Sequence, residues 1–231
     1  SILGGNTWDD FVYSIKHNNR FHTQMVNTEK LKMYLLNLRK YYSKGNVFFR
    51  GRLNNNETCF KLSEMGAPPI EFAKEGRANS AGISRLYLAD SEKTCIHEIR
   101  AGAFDVISIG RFILKENITV VDLKQINKIS PFSENCDFLD YLINKPILQQ
   151  IDEGMGRAVR SSDNHLDYIP TQYLCDLIKT LDDDLGDKFA GVEYSSTLNK
   201  NGYNLAIFYP DKFRCTKVKT VSISCLKYEY Y

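Results

Sequence analysis

Residues 76–98 constrain the fold most strongly, because they combine a tight turn, a short strand and a helix start. Gly76, Asn79 and Gly82 are residue types that suit left-handed backbone and a close approach to a ligand. Arg77 adds one fixed positive charge to this turn. The turn is therefore a candidate anion-binding element.

The strand and the helix follow this turn directly. Residues 86–89 form a short apolar run with the phenol of Tyr87 inside it, which predicts a buried strand. Asp90 or Ser91 can then cap a helix that contains Glu98.

Glu98 is expected to point towards the protein. Positions three, four and seven apart share a helical face, which places Glu98 over Ser91, Thr94 and Cys95. A carboxylate on that face lies near the strand of Tyr87. A structural ion pair between Arg77 and Glu98 is the alternative to a functional role.

Length and composition bound the class of protein. A chain of 231 residues suits one large domain, or a core domain with a helical extension; we place the extension at residues 1–45 and the domain at 46–231. No apolar run approaches the roughly 20 residues that span a bilayer. The net charge of +2 gives no global field for nucleic acid or a membrane surface, so we expect neither as a partner.

The cysteines and histidines predict neither a disulfide framework nor a metal site. The cysteines form no closely spaced pair and are interpreted as buried free thiols, which favours a reducing, cytoplasmic compartment. The histidines show no metal-ligand spacing. The six cysteines are Cys59, Cys95, Cys136, Cys175, Cys215 and Cys225.

The N-terminal residues read as helical. Asn27 or Thr28 can cap a helix whose apolar positions recur up to residue 44. No signal peptide is recognised. Because the chain begins at Ser1 rather than methionine, we expect a fragment of a longer protein.

A pair of cations follows a short strand earlier in the chain. Residues 47–49 form a short apolar run that leads into Arg50 and Arg52 on either side of a glycine. The planar guanidinium matches phosphate oxygens and stays charged when partly desolvated. A solvated loop is the alternative for either arginine.

The remaining elements predict a mixed α+β order rather than a regular alternation of strands and helices. Residues 152–157 are predicted to be a surface loop. Helices are expected at 138–151 and 168–181, and strands at 106–114, 118–123, 189–194, 203–209 and 213–224.

Taken in order along the chain, these residues resemble the RES domain family, which is named for its Arg, Glu and Ser. The resemblance covers about residues 46–210, and the ordered combination is specific although each piece is short. It is carried by Phe49-Arg50, Gly76-Arg77, Asn79, Gly82, Leu86-Tyr87, Ala89, Glu98, Tyr168, Thr171-Gln172-Tyr173, residues 191–196 and residues 204–208.

The resemblance implies both a fold and an activity. The implied fold is similar to ADP-ribosyltransferases, with small mixed or antiparallel sheets flanked by helices around an NAD+ cleft. The implied activity is degradation of NAD+ by hydrolysis or phosphorolysis, as a toxin or bacterial defence effector held in check by an antitoxin or regulatory partner. The alternative is ADP-ribosylation of a protein. NAD+ is then the substrate, and no prosthetic group is expected. The prediction allows for a homo-oligomer.

The family's motif also assigns roles to residues of this chain. The catalytic set is Arg50, Arg77, Glu98 and Ser196, with Ser196 preferred over Ser195 by register. Ala78 stands where the family usually has tryptophan, and Glu75 replaces the first of two glycines, so the orientation of the ligand is the least defined feature. The substrate-binding candidates are Arg52, Gly76, Asn79, Tyr87, Gln172 and Ser195.

The chemistry of NAD+ agrees with these roles. Nicotinamide leaves as a neutral molecule, so cleavage needs a carboxylate beside the cationic ribosyl centre rather than a general acid. Glu98 fits that requirement, the arginines suit the diphosphate, and Tyr87 can stack on a ring. A catalytically silent NAD-binding or interaction module is the third hypothesis.

Overall fold

A computed structural model describes residues 1–54, 59–129, 137–157, 165–182 and 186–225. Five α-helices lie in this part of the chain. They are α1 (Trp8–His17), α2 (Thr28–Leu36), α3 (Glu92–Glu98), α4 (Phe138–Gly156) and α5 (Ile169–Thr180).

Within the described ranges, eight strands form one mixed sheet, in the order β1-β5-β6-β7-β3-β2-β4-β8. Only the β5–β6 pair is parallel among these neighbours. The strands are β1 (Arg39–Tyr42), β2 (Val47–Leu53), β3 (Leu86–Ala89), β4 (Val106–Leu114), β5 (Ile118–Asp122), β6 (Gly191–Ser195), β7 (Tyr203–Ile207) and β8 (Phe213–Ser222).

The α+β class predicted from the sequence is confirmed, but the strands join in one sheet rather than in separate small ones. The link between the two halves of that sheet is narrow, because β2 and β3 are paired only at Phe49 and Ala89. Beyond this pair the two strands separate. The gap between them opens the cleft described below.

Capping side chains fix where the helices begin. Thr7 and Asp10 form a capping box at the start of α1, and the Asn27 side chain accepts a hydrogen bond from the backbone of Lys30 at the start of α2. The Ser91 side chain accepts from the backbone of Thr94 and so begins α3. Asn27 and Ser91 are each one of the two cap candidates that the sequence offers for these helices.

Two large hydrophobic clusters occupy opposite faces of the sheet. One contains α1, α2, α4 and α5 packed against β6, with Phe189 and Val192 at its centre. The other contains Phe48, Leu205 and Phe213 and lies against the other side. Adjacent residues of β7 therefore belong to different clusters, Leu205 to one and Ala206 to the other, as strand geometry requires.

Helix α2 is shorter than predicted. It ends at Leu36 rather than near residue 44, and the chain turns into β1, which pairs with β5 from Arg39 to Tyr42. Pairing with a sheet outweighs the local helical pattern, and Tyr41 and Tyr42 are residue types that favour strands. The boundary at residues 45 and 46 stays a prediction, although Leu35 belongs to the same hydrophobic cluster as Val192.

The predicted surface loop at 152–157 is also wrong, because α4 continues through Gly156. Glycines 154 and 156 are poor helix residues, but Ile151 and Met155 are buried one turn apart and anchor this end. Burial of an apolar face therefore extends the helix beyond its propensity.

The prediction of buried thiols is only partly correct. Cys95 and Cys175 are buried, whereas Cys59 and Cys225 are exposed; Cys136 lies outside the described residues. None of the helices in the described ranges is both long enough and apolar enough to cross a membrane.

We predict that Gly191→Ala destabilises the fold. A Cβ at this position in β6 would lie 2.5 Å from the backbone carbonyl oxygen of Ala206, which cannot rotate away. Overpacking of this kind costs about 1–3 kcal/mol, so the free energy of unfolding measured by urea denaturation should fall by that amount. The control is Gly66→Ala, where no atom lies within 4 Å. Equal stability of the two variants would contradict the prediction.

Candidate active site

The turn at residues 76–79 is closed by the hydroxyl of Tyr87. Gly76 and Asn79 exchange backbone hydrogen bonds at 2.9 and 3.3 Å. The Tyr87 hydroxyl donates to Asn79 Oδ1 at 2.7 Å and accepts from the backbone N–H of Ala78 at 3.1 Å. Burial raises the pKa of Tyr87, so the hydroxyl keeps the proton that it donates.

Gln172 of α5 stabilises the same turn through hydrogen bonds. Gln172 Nε2 donates to the carbonyl oxygens of Gly76 at 2.9 Å and Asn79 at 3.0 Å. Its Oε1 accepts from Ser80 Oγ at 3.2 Å. The polar atoms of Gln172 and Asn79 are thus used inside the protein, and the geometry makes them supports for the turn. Their direct contact with a substrate stays a prediction.

Arg77 extends from this turn to the C-terminal end of α4. Its Nη1 donates to the carbonyl oxygens of Gly154 at 2.7 Å and Met155 at 3.3 Å. A cation is favourable there, because the last carbonyls of a helix have no partners within the helix. The side chain is half-buried and lines two adjoining cavities.

Helix α3 is fastened to the turn between β6 and β7. Thr94 Oγ1 lies 2.9 Å from Ser91 Oγ and accepts from Asn199 Nδ2 at 2.8 Å. Asp90 accepts a hydrogen bond from the backbone of Tyr203 and donates one back through its own N–H. These contacts fix the helix relative to the turn and to β7.

The carboxylate of Glu98 is held at the last residue of α3. Its Oε1 accepts hydrogen bonds from Ser196 Oγ at 2.6 Å and from Asn204 Nδ2 at 2.9 Å. Ser196 Oγ in turn accepts from the backbone N–H of Asn199 at 3.1 Å. Within the described part of the chain, both hydrogen bonds to this carboxylate fall on Oε1, which leaves Oε2 available to a ligand.

Arg50 lies where β2 and β3 separate. Its Nη1 is buried and has no hydrogen-bond partner among the described residues. Burial, with a smaller contribution from the charge of Arg52, lowers the pKa of Arg50 to about 10. The guanidinium is still protonated at neutral pH. A buried donor of this kind matches an anion that the protein itself does not supply.

Arg52 is placed differently from Arg50. It donates to the carbonyl oxygen of Glu64 at 2.5 Å, and its guanidinium lies 4.4 Å from the centre of the Phe60 ring. The residues that line the cleft between β2 and β3 include Arg50 but not Arg52. The structure therefore favours Arg50 as the anion-binding residue.

Three adjoining cavities connect these side chains. A cleft of about 250 Å³ contains Arg50, Tyr87 and Glu98, and a cavity of about 120 Å³ contains Glu98 and Arg77. A third cavity of about 590 Å³ also contains Arg77. Ser195 is exposed at the end of β6 and lines the second and third cavities. We call the three cavities together the groove; Glu98 is near its centre.

The structure adds two residues to those that the sequence predicts for the site. Asn204 binds Glu98 directly, and Tyr194 is buried between the first two cavities. Burial raises the pKa of Tyr194 well above its usual value. Both residues lie within segments that resemble the family, but a strand pattern alone does not say which side chain reaches across to another element.

Two other kinds of chemistry receive no support at this site. Burial raises the pKa of the Cys95 thiol to about 12, so this cleft residue is not a thiolate nucleophile at neutral pH. Among the described residues, no group of three or more His, Cys, Asp or Glu is arranged to hold a metal ion.

Comparison with known proteins identifies one family. The sequence model of the RES domain matches residues 60–226, which is more than half of the chain. Arg50 precedes this segment, and its assignment to the site rests on its place in the cleft. No curated protein and no solved structure gives a significant match to the chain.

We predict that Arg50→Met raises stability. The substitution removes a buried donor without a partner, and such a donor costs about 1–3 kcal/mol. The free energy of unfolding from urea denaturation should therefore rise. Arg52→Met is the matched control: its guanidinium has a hydrogen bond and a stacked ring, so this variant should be no more stable than the parent. A loss of stability in Arg50→Met would contradict the interpretation.

Proposed function

Because the chain belongs to the RES-domain family, whose members are linked to toxins that act on NAD+, we propose that it degrades NAD+ by breaking the bond between nicotinamide and ribose. The family relationship also implies an ADP-ribosyltransferase-like architecture for the observed α+β fold. The products we propose are nicotinamide and either ADP-ribose or its 1-phosphate.

The position of Glu98 is the observation that carries this proposal. Its carboxylate is held through Oε1 by Ser196 and Asn204 and lies at the centre of the groove. Arg50 and Arg77 lie on either side of it. A negative charge between two cations suits a ligand with a cationic glycosidic centre and anionic phosphates.

The residues supply what the reaction needs. When the bond between C1′ and the pyridinium nitrogen breaks, its electron pair goes to that nitrogen and nicotinamide leaves uncharged. Positive charge then develops on the ribosyl ring, and a fixed carboxylate stabilises it. An oxygen nucleophile bonds to C1′; when it is water, its proton goes to bulk solvent, which reaches Glu98. Tyr87 and Tyr194 line the same cleft.

The acceptor can be water, inorganic phosphate or a protein side chain. Glu98 is exposed to solvent, which leaves room for a large acceptor and supports ADP-ribosylation of a protein as the second candidate. Labelled NAD+ in a lysate would then mark a discrete protein band. Without such a band, release of free ADP-ribose or its 1-phosphate supports the first candidate.

A toxin or defence role in the cytoplasm is the biological context that we propose, with an antitoxin or regulatory partner to limit loss of NAD+. The family relationship supports this context. Neither the partner nor assembly into a homo-oligomer is needed for the chemistry above.

We predict that Glu98→Gln lowers the rate of nicotinamide release by at least about a hundredfold. Glutamine keeps the volume and can still accept from Ser196 and Asn204, so only the charge is lost. Nicotinamide is measured by chromatography in buffer with and without phosphate. Faster turnover with phosphate identifies a phosphorylase, and equal turnover identifies a hydrolase.

The matched control for this variant is Glu92→Gln. Glu92 lies on the same helix but pairs with Lys219 at 2.6 Å, away from the groove, so the control should keep its activity. If the parent protein releases no nicotinamide in either buffer, the proposed function is wrong. Full activity of Glu98→Gln would remove Glu98 from the mechanism.

We predict that Ser196→Ala lowers kcat and leaves KM nearly unchanged. The hydroxyl positions Glu98 through one hydrogen bond to a charged group, which is worth about 1.5–3 kcal/mol. This energy corresponds to a fall in kcat of about ten- to a hundredfold. Steady-state kinetics with NAD+ measures both constants.

Ser195→Ala separates the two serines. Ser195 is exposed and has no described contact with Glu98, so kcat should be retained in this variant. If Ser195→Ala instead lost kcat and Ser196→Ala did not, the preferred register of the serine would be wrong.

A further inference from the structure

The largest cavity of the groove has a wall that comes from outside the matched domain. Trp8, Val12 and Lys16 of α1 line the cavity of about 590 Å³. These positions are four residues apart and so share one face of the helix. The segment that matches the family begins only at residue 60. Helix α1, which lies outside the segment that matches the family, therefore helps to shape the groove.

Helix α1 is rigidly placed. Phe11 and Ile15, on its other side, are buried in the larger hydrophobic cluster. The Phe11 ring packs edge-on against Tyr173 of α5, with 5.7 Å between ring centroids. Lys16 Nζ contacts Asp167 Oδ1 at 2.7 Å and ties the end of the helix to the opposite wall. Trp8 is thus held in place as a half-buried aromatic surface.

The facing wall provides polar acceptors. Asp152 and Glu153 lie near the end of α4, and Tyr168 precedes the first turn of α5. Carboxylates of this kind accept hydrogen bonds from ribose hydroxyls, and aromatic rings stack on nucleobases. The cavity therefore offers partners to both parts of a nucleoside.

The cavity also adjoins the cavity that contains Glu98, and two arginines lie where the two cavities meet. Arg77 and Arg157 line both this cavity and the smaller one that contains Glu98. A dinucleotide with its reactive ribose at Glu98 would carry its diphosphate past these two guanidinium groups. Its second nucleoside would then reach Trp8. The volume of about 590 Å³ falls in the range of small-molecule sites.

We infer that this cavity binds the adenosine half of NAD+, with the indole of Trp8 stacked on the adenine base. The inference rests on the proposed function for the identity of the substrate. It assigns α1 to the binding site and makes Trp8 a specificity-determining residue that acts on the half of the substrate remote from the chemistry.

The first test uses the parent protein and does not depend on turnover. Trp8 is the only tryptophan in the chain, so its fluorescence reports directly on this cavity. Adenosine 5′-monophosphate should quench the emission with a saturable curve, and nicotinamide mononucleotide at the same concentrations should not. Absence of quenching by adenosine monophosphate, or equal quenching by both nucleotides, would overturn the inference.

The second test compares two substrates that share the scissile bond. Trp8→Ala should raise KM for NAD+ about tenfold, within the usual effect of removing one stacked aromatic side chain, and leave cleavage of nicotinamide mononucleotide unchanged. Tyr13→Ala is the matched control, because Tyr13 is an exposed aromatic residue of the same helix that does not line the cavity. Equal losses with both substrates, or no loss with NAD+, would contradict the assignment.

The two failures are distinguishable. If the parent protein cleaves neither substrate but adenosine monophosphate quenches Trp8, the binding site stands and the proposed reaction falls. If NAD+ is cleaved but Trp8 does not respond, the reaction stands and this inference falls. The quenching test with the parent protein decides the matter even when Trp8→Ala does not fold.

Discussion

The hydrogen bond between Ser196 and Glu98 joins two elements that are distant in sequence, and the proposed site depends on it. The carboxylate lies at the last residue of a helix of only seven residues, which would not be stable by itself. The capping serine at its start and the contact between Thr94 and Asn199 fix that helix to the β6–β7 turn. The same turn then supplies the serine that holds the carboxylate, so backbone placement and side-chain orientation support each other.

The polar groups near the groove divide into two kinds. Those of Gly76, Ala78 and Asn79 are satisfied within the protein, since Tyr87 and Gln172 bind them from both sides. Arg50 keeps a buried donor without a partner in the described part of the chain. The satisfied groups provide rigidity, and the unsatisfied donor provides a reason to bind an anion. A site of this kind gives up some stability in exchange for an affinity that only a ligand realises.

The sequence predicts local features of the site well and distant contacts poorly. The turn, the strand of Tyr87 and the helix of Glu98 are all confirmed, because glycine, apolar and capping patterns act over a few residues. The contact from Asn204 joins residues 106 positions apart, and no local pattern specifies such a pair. The position of α1 beside the groove is equally hard to predict, since it depends on packing against α5, which is distant in sequence.

The errors in secondary structure have the same physical origin. The strand at Arg39–Tyr42 exists because β5 pairs with it, and α4 reaches Gly156 because Met155 is buried. In both places a tertiary contact outweighs the local preference. The extension of α4 matters for the site, because its final carbonyls are the groups that Arg77 binds.

Contacts on both faces of strand β6 fix its position beside the groove. Tyr194 faces the cavities around Glu98, while the preceding Glu193 is buried on the other face. Glu193 accepts hydrogen bonds from Tyr42 at 2.5 Å and Lys40 at 2.8 Å, and it also pairs with Lys124. Breaking such a buried pair leaves an uncompensated charge, so this network resists any shift of β6. Because Ser196 directly follows this strand, the network on one face also fixes the hydroxyl that orients Glu98 on the other.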